Sequence, residues 1–120
     1  MRLLHASLII SDLTVATHFY EGILGLKRDK RPHLDFEGIF YQLGDAGQQL
    51  HLMQVNDPYH DCIRPQHGGR DRHLAFAVNK LQVFVDKLEA AGIAFTRSRS
   101  GRAALFCRDP DDNVIELCEV

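Results

Sequence analysis

A chain of 120 residues is long enough to fold as one domain with a real core. Its 45% hydrophobic and 25% charged residues exclude a disordered or fibrous class, and a net charge of −2 excludes the basic footprint of a nucleic-acid or anionic-membrane binder. No apolar run approaches the roughly 18 residues that a membrane span needs, so the expected partner is a small molecule, with no nucleic acid and no membrane.

The opening stretch "LHASLIISDL" reads as a strand, and Asp12 caps a helix whose apolar positions Leu13, Ala16, Tyr20 and Ile23 recur at helical spacing. Gly25 supplies the stop. Three short strands follow, around 26–31, at 36–43 and at 48–55, with "GDAG" as the turn between the last two. The stretch "NDPYHDCIRPQHGGRD" is rich in Pro, Gly and charge and reads as a linker. The pattern then repeats. "RHLAFAV" is a strand, Leu81, Phe84, Leu88 and Ala91 mark a helix ended by Gly92, and "AFTRS", "AALFCR" and "VIELCE" are three further strands. The sequence therefore predicts an α+β fold of two βαβββ modules, the first spanning about 1–56, the linker about 57–71 and the second about 72–120. The three cysteines, Cys62, Cys107 and Cys118, are odd in number and widely spaced, which fits reduced thiols of a cytoplasmic protein better than a disulfide frame.

Side chains alternate along a strand, so parity assigns faces. Leu4, Ala6, Leu8 and Ile10 face the first helix, which leaves His5 on the other side. Leu74, Phe76 and Val78 face the second helix, which leaves His73 opposite. In the closing strands, "LHL" at 50–52 and "IEL" at 115–117 place His51 and Glu116 on that same helix-free face. Each module thus contributes one polar residue from its first strand and one from its last. Three imidazoles and one carboxylate make a borderline N/O donor set suited to Zn, Ni, Co, Mn or Fe. His18, His33, His60 and His67 lack this pattern and read as surface histidines. The basic clusters "LKRDKR" at 26–31 and "TRSRSGR" at 96–102 read as solvated hairpin charge, with entry of an anionic substrate near them as the alternative.

"LHASLIISDLTVATHFYEGILGL", "RHLAFAV" and "DPDDNVIELCE" resemble the vicinal oxygen chelate superfamily over essentially the whole chain, and the start looks most like bacterial glyoxalase I. The resemblance implies that the two modules pair into a cup-shaped mixed sheet with the helices outside. It also implies that His5, His51, His73 and Glu116 bind a divalent metal inside the cup. Glyoxalase I usually has glutamate where this chain has His51. The arginine that it uses for glutathione near the first strand is replaced by Ile9, so a thiol such as glutathione is suggested by resemblance alone and no residue supports it.

Four protein ligands on a six-coordinate metal leave two open positions, which suits a substrate that chelates through two oxygens. The expected activity is therefore a metal-dependent lyase or isomerase of glyoxalase I type, with Glu116 as the general base. The alternatives are a non-catalytic drug- or metabolite-binding protein of bleomycin-resistance type and an extradiol dioxygenase. The latter would need three open positions and is disfavoured if His51 binds. A homodimer with sites shared between chains is expected, because a second copy would cover the sheet edges.

Overall fold

The computed structural model describes all 120 residues. The chain divides into two compact units, Met1–His60 and Asp61–Val120. In the first, strand β1 (His5–Ile10) leads into helix α1 (Leu13–Thr17) and a π-helical turn (His18–Ile23). Strands β2 (Lys27–Asp29), β3 (Glu37–Leu43) and β4 (Gln48–Gln54) follow. The second opens on a 3₁₀ turn (Gly68–Arg70) and continues through β5 (His73–Val78), α2 (Leu81–Ala90), β6 (Phe95–Arg97), β7 (Ala104–Arg108) and β8 (Val114–Glu119). The sheets have orders β1-β4-β3-β2 and β5-β8-β7-β6, and in each the first and last strands run parallel while the other pairs are antiparallel. Each unit is thus a βαβββ module of an α+β fold, as the repeat predicts.

Both helices start against the last strand of their own sheet. The Gln54 side-chain oxygen accepts from the Leu13 amide at 2.9 Å, and the Glu119 carboxylate accepts from the Leu81 amide at 2.6 Å. Asp12 adds a cap at the first helix, its backbone extended and its carboxylate accepting from the Val15 amide at 2.9 Å. Lys80 offers the second helix no such bond. The helix predicted from Leu13 onward widens at His18, where the Leu24 amide reaches back five residues to the Phe19 carbonyl at 3.0 Å. The wider turn buries the consecutive residues Phe19 and Tyr20 together. Gly25 and Gly92 take the left-handed conformation, at φ 72° and 66°, where the sequence places the stops.

One face of each sheet carries the core. Ile10, Ile39, Tyr41, Leu50 and Leu52 are buried with Ala16, Phe19 and Tyr20, and the rings of Tyr20 and Tyr41 stack at 6.0 Å. Burying a side chain of this size contributes about 1.5–3 kcal/mol. The Tyr41 hydroxyl donates to Glu21 at 3.0 Å; burial first, then this bond, pushes the phenol above its ordinary range. In the second unit Leu81, Val85 and Leu88 of α2 are buried with Leu105, Cys107, Ile115 and Leu117. Burial, reinforced by the charge of Asp109, pushes the Cys107 thiol up to about 12.

The boundary between the units falls inside the stretch that reads as a linker, and the residues after it are pinned to the second sheet. Asp71 accepts from Arg64 at 2.8 Å and from Arg108 at 3.0 Å. Arg108 also donates to the carbonyls of Pro65 and Asp112, at 2.6 and 2.8 Å. Gly68 lies so close to the helix-free face that a Cβ there would stand 2.7 Å from Phe106 Cβ and from Val114 Cγ1. No helix is long and apolar enough to cross a membrane.

Candidate functional site

Register places each predicted pair. In β1 and β4, Ser7 lies opposite His51, and His5 stands one pleat earlier; in β5 and β8, Ala75 lies opposite Glu116, and His73 stands one pleat earlier. The outcome is the same in both units, a first-strand histidine beside a last-strand histidine or glutamate on the helix-free face. The rings of His5 and His51 stack at 4.2 Å and 12°. His73 Nε2 lies 3.3 Å from Glu116 Oε2. No group of three or more His, Cys, Asp or Glu side chains is placed to hold a metal ion: the structure brings His5 beside His51 and His73 beside Glu116, and does not bring the four together.

Hydrogen bonds orient one histidine of each pair, His51 in the first unit and His73 in the second. Asp29 accepts from the Gln49 amide nitrogen at 2.7 Å, which turns the Gln49 oxygen to His51 Nε2 at 2.9 Å. That oxygen can only accept, so His51 Nε2 carries the proton and Nδ1 keeps its lone pair. Burial, followed by the positive charges of His5 and Arg31, holds His51 below the usual histidine range and favours the neutral ring that a metal requires. The second unit uses a backbone acceptor instead. His73 Nδ1 donates to the Asp71 carbonyl at 2.8 Å, which leaves the Nε2 lone pair of the neutral ring aimed at Glu116. Two lone pairs 3.3 Å apart repel unless a cation, proton or metal, lies between them. An outer carbonyl holding the far nitrogen of a ligating histidine is the usual support at metal sites. Imidazole beside imidazole in one unit and imidazole beside carboxylate in the other are donor types that a divalent metal takes.

Glu116 is buried, its side chain 4% exposed, and its other oxygen accepts from Arg102 Nη2 at 3.0 Å. The Cys118 thiol lies 3.8 Å from that same oxygen. Arg102 belongs to the cluster read as solvated hairpin charge, and the structure turns it onto the carboxylate.

His67 also departs from its expected surface role. It is half-buried, its Nδ1 lies 2.7 Å from the Thr96 hydroxyl, and its ring meets Phe106 edge-on at 5.2 Å. His73 meets the same Phe106 ring edge-on at 5.3 Å. The equivalent phenylalanine of the first unit, Phe40, lies flat on His51 with 3.4 Å between ring centres. His18, His33 and His60 are exposed, as expected.

The match to known proteins follows this architecture. The model of the glyoxalase/bleomycin resistance protein/dioxygenase superfamily matches residues 2–117, and the chain belongs to that superfamily. It is 30% identical to glyoxylase I 4 of Arabidopsis thaliana over 95% of this chain and 68% of that protein. It is 27% identical to the lactoylglutathione lyase of Haemophilus influenzae over 99% of this chain and 93% of that one. Among solved structures, a variant of the fosfomycin resistance protein FosX from Listeria monocytogenes, complexed with Mn(II) and dihydroxypropylphosphonic acid, superposes with a TM-score of 0.76 at 19% identity. The superposition covers 98% of this chain and 91% of that one. At that identity the likeness establishes the fold alone.

Proposed function

We propose that the protein is a divalent-metal-dependent lyase or isomerase of glyoxalase I type, acting on a small substrate that chelates through two oxygens. The observation that carries this reading is the geometry of His73, whose proton is fixed on Nδ1 by the Asp71 carbonyl while Nε2 faces Glu116 at 3.3 Å. His5, His51, His73 and Glu116 would hold the metal, two from each unit type. When bound, the metal supplies Lewis acidity to the chelating oxygens.

Glu116 then moves the proton at the carbon next to the substrate carbonyl, as general base and afterwards as acid. Arg102 holds Oε1 and leaves Oε2 on the His73 side, so one oxygen anchors the carboxylate while the other works. His51 occupies the place of a second carboxylate, so a single base serves the site, and one stereochemical face of the substrate is handled better than the other. We further propose that the protein works in the cytoplasm as a homodimer in which pairs from two chains complete each site.

The test joins metal stoichiometry to turnover on α-ketoaldehyde hemithioacetals, epimerisable thioesters and catechols. Glu116→Gln keeps one oxygen donor and should lose about 10²–10⁴-fold in turnover while retaining appreciable metal. His73→Ala should lose metal and activity together. Full activity in Glu116→Gln overturns the assigned base. An unmutated protein that binds no metal, turns over nothing and holds an aromatic drug tightly is instead a binding protein. A monomer by sedimentation at micromolar concentration overturns the dimer.

A further inference from the structure

The first unit contains a cation without an anion. Arg31 follows β2 and is half-buried, its guanidinium carbon 5.2 Å from the centre of the Phe36 ring and 5.9 Å from that of Phe40. Its only hydrogen bond runs from Nη2 to the Phe36 carbonyl, and its Nε is buried with no partner. No carboxylate lies in ion-pair range of it. Asp29 is occupied by the Gln49 amide and the Lys30 backbone N–H.

The position is built. Gly38 lies beneath the guanidinium, where a Cβ would stand 3.2 Å from Arg31 Nε and 2.4 Å from the Leu52 carbonyl oxygen. Phe40 links this cation to the candidate ligands, with one ring touching Arg31 and stacking flat on His51. The second unit provides the contrast. There Arg102 is paired with Glu116, whereas the place of Glu116 in the first unit is taken by His51, which brings no carboxylate. A guanidinium held by aromatic faces, with unused donors and no counter-charge, is a recognition group for an oxyanion.

We propose that Arg31 binds an oxyanion of the ligand, a carboxylate or phosphonate separate from the two chelating oxygens, and so makes the protein selective for anionic substrates. This deepens the metal-dependent reading and rests on it for the identity of the chelating end. Phe36 and Gly38 act as positioning residues, the first by stacking and its carbonyl, the second by leaving the space.

The experiment compares three hydroxamates with the same bidentate head on metal-loaded protein. Acetohydroxamate has a neutral tail, succinomonohydroxamate carries a carboxylate and phosphonoacetohydroxamate a phosphonate. At least one anionic probe should bind about tenfold or more tighter than acetohydroxamate, and which one does so distinguishes the two oxyanions. Arg31→Gln and Arg31→Met should reduce that preference, read as the ratio of anionic-probe to acetohydroxamate affinity on each variant, to within about twofold. Arg31→Lys should keep part of it, because it keeps the charge and loses the planar fork. Equal affinities for all three probes overturn the proposal and leave the metal reading standing.

A second arm uses metal-stripped protein titrated with methylphosphonate and, separately, acetate while the Arg31 Nε–H and His51 ring resonances are followed. A saturable shift that Arg31→Gln abolishes supports the anion site even if no hydroxamate binds, in which case the metal reading fails alone. Absence of hydroxamate binding together with absence of such a shift overturns the proposal.

Discussion

The two units share topology, register and the placement of a first-strand histidine, yet their helix-free faces have opposite electrical character. In the second, Glu116 stands between His73 and Arg102 and gives the guanidinium its counter-charge. In the first, His51 stands at the same register between His5 and Phe40, an aromatic stack with Arg31 alongside and no carboxylate on the cation. One residue identity, histidine or glutamate at the centre of the last strand, separates a neutralised face from one that keeps a positive charge for a ligand. The fold sets where the pair falls; the side chain sets what it attracts.

The sharpest way to break the comparison is at the glycine that each face requires. Gly38→Ala would drive a Cβ to 2.4 Å from the Leu52 carbonyl, a main-chain atom of the strand ladder that cannot retreat. We expect a loss of about 3 kcal/mol. Gly68→Ala meets Phe106 Cβ and Val114 Cγ1 at 2.7 Å, side-chain atoms that can shift more readily than a main-chain oxygen, so about 2 kcal/mol is expected. The midpoints of urea unfolding measure both, and equal or negligible losses would show that the two close approaches are not structural constraints.

The anchoring carboxylates come next. Asp71 is buried and paired with Arg64 and Arg108, whose side chains are 19% and 23% exposed, so Asp71→Asn should cost about 2 kcal/mol. In the first unit Glu21 pairs with Arg28, 60% exposed, and accepts from Tyr41, so Glu21→Gln should cost at most about 1 kcal/mol. Burial tends to raise the Asp71 pKa, and the bonds from Arg64, Arg72 and Arg108 outweigh it and leave the group below its ordinary value. A depressed folded-state pKa means that the stabilisation is present above the unfolded value. It is lost as pH falls through and below about 4. The gap between wild type and Asp71→Asn should therefore close in acid. A gap that stays constant from pH 7 to pH 3 contradicts the ion-pair account.

The smallest effect sharpens the contrast between the helix starts. Asp12→Ala should cost about 1 kcal/mol, whereas Lys80→Asp should stabilise the second helix by about 0.5–1 kcal/mol, since Lys80 makes no capping bond. Thermal unfolding of the two variants should move in opposite directions.

Strand parity and the internal repeat made most of this molecule legible. The predicted strands at 48–55 and 114–119 formed as β4 and β8, and the four ligand-type residues fell in two adjacent pairs because register follows from period-two alternation. What stayed hidden depended on partners remote in sequence. The π-helical turn answers to burial of Phe19 and Tyr20 against a sheet, which helical spacing alone does not encode. Arg102 looked like hairpin charge because its carboxylate lies in another strand. His67 looked like a loop histidine because its contacts, Thr96 and Phe106, come from β6 and β7. Arg31 had one readable signal, the phenylalanines at 36 and 40 that flank its hairpin.

The placement of the cysteines gives the molecule an internal clock for one half only. Cys62, Cys107 and Cys118 all belong to the second unit, and Cys107 is sealed in its core with a thiol pushed up to about 12. Thiolate is the reacting form, so the native Cys107 is protected twice, by enclosure and by protonation. A disulfide reagent in excess can capture it only during an opening of the second unit, while the first unit can open and close without leaving a covalent trace. The rate of Cys107 modification in a Cys62→Ser, Cys118→Ser background thus reports the breathing of one repeat against the silence of its twin.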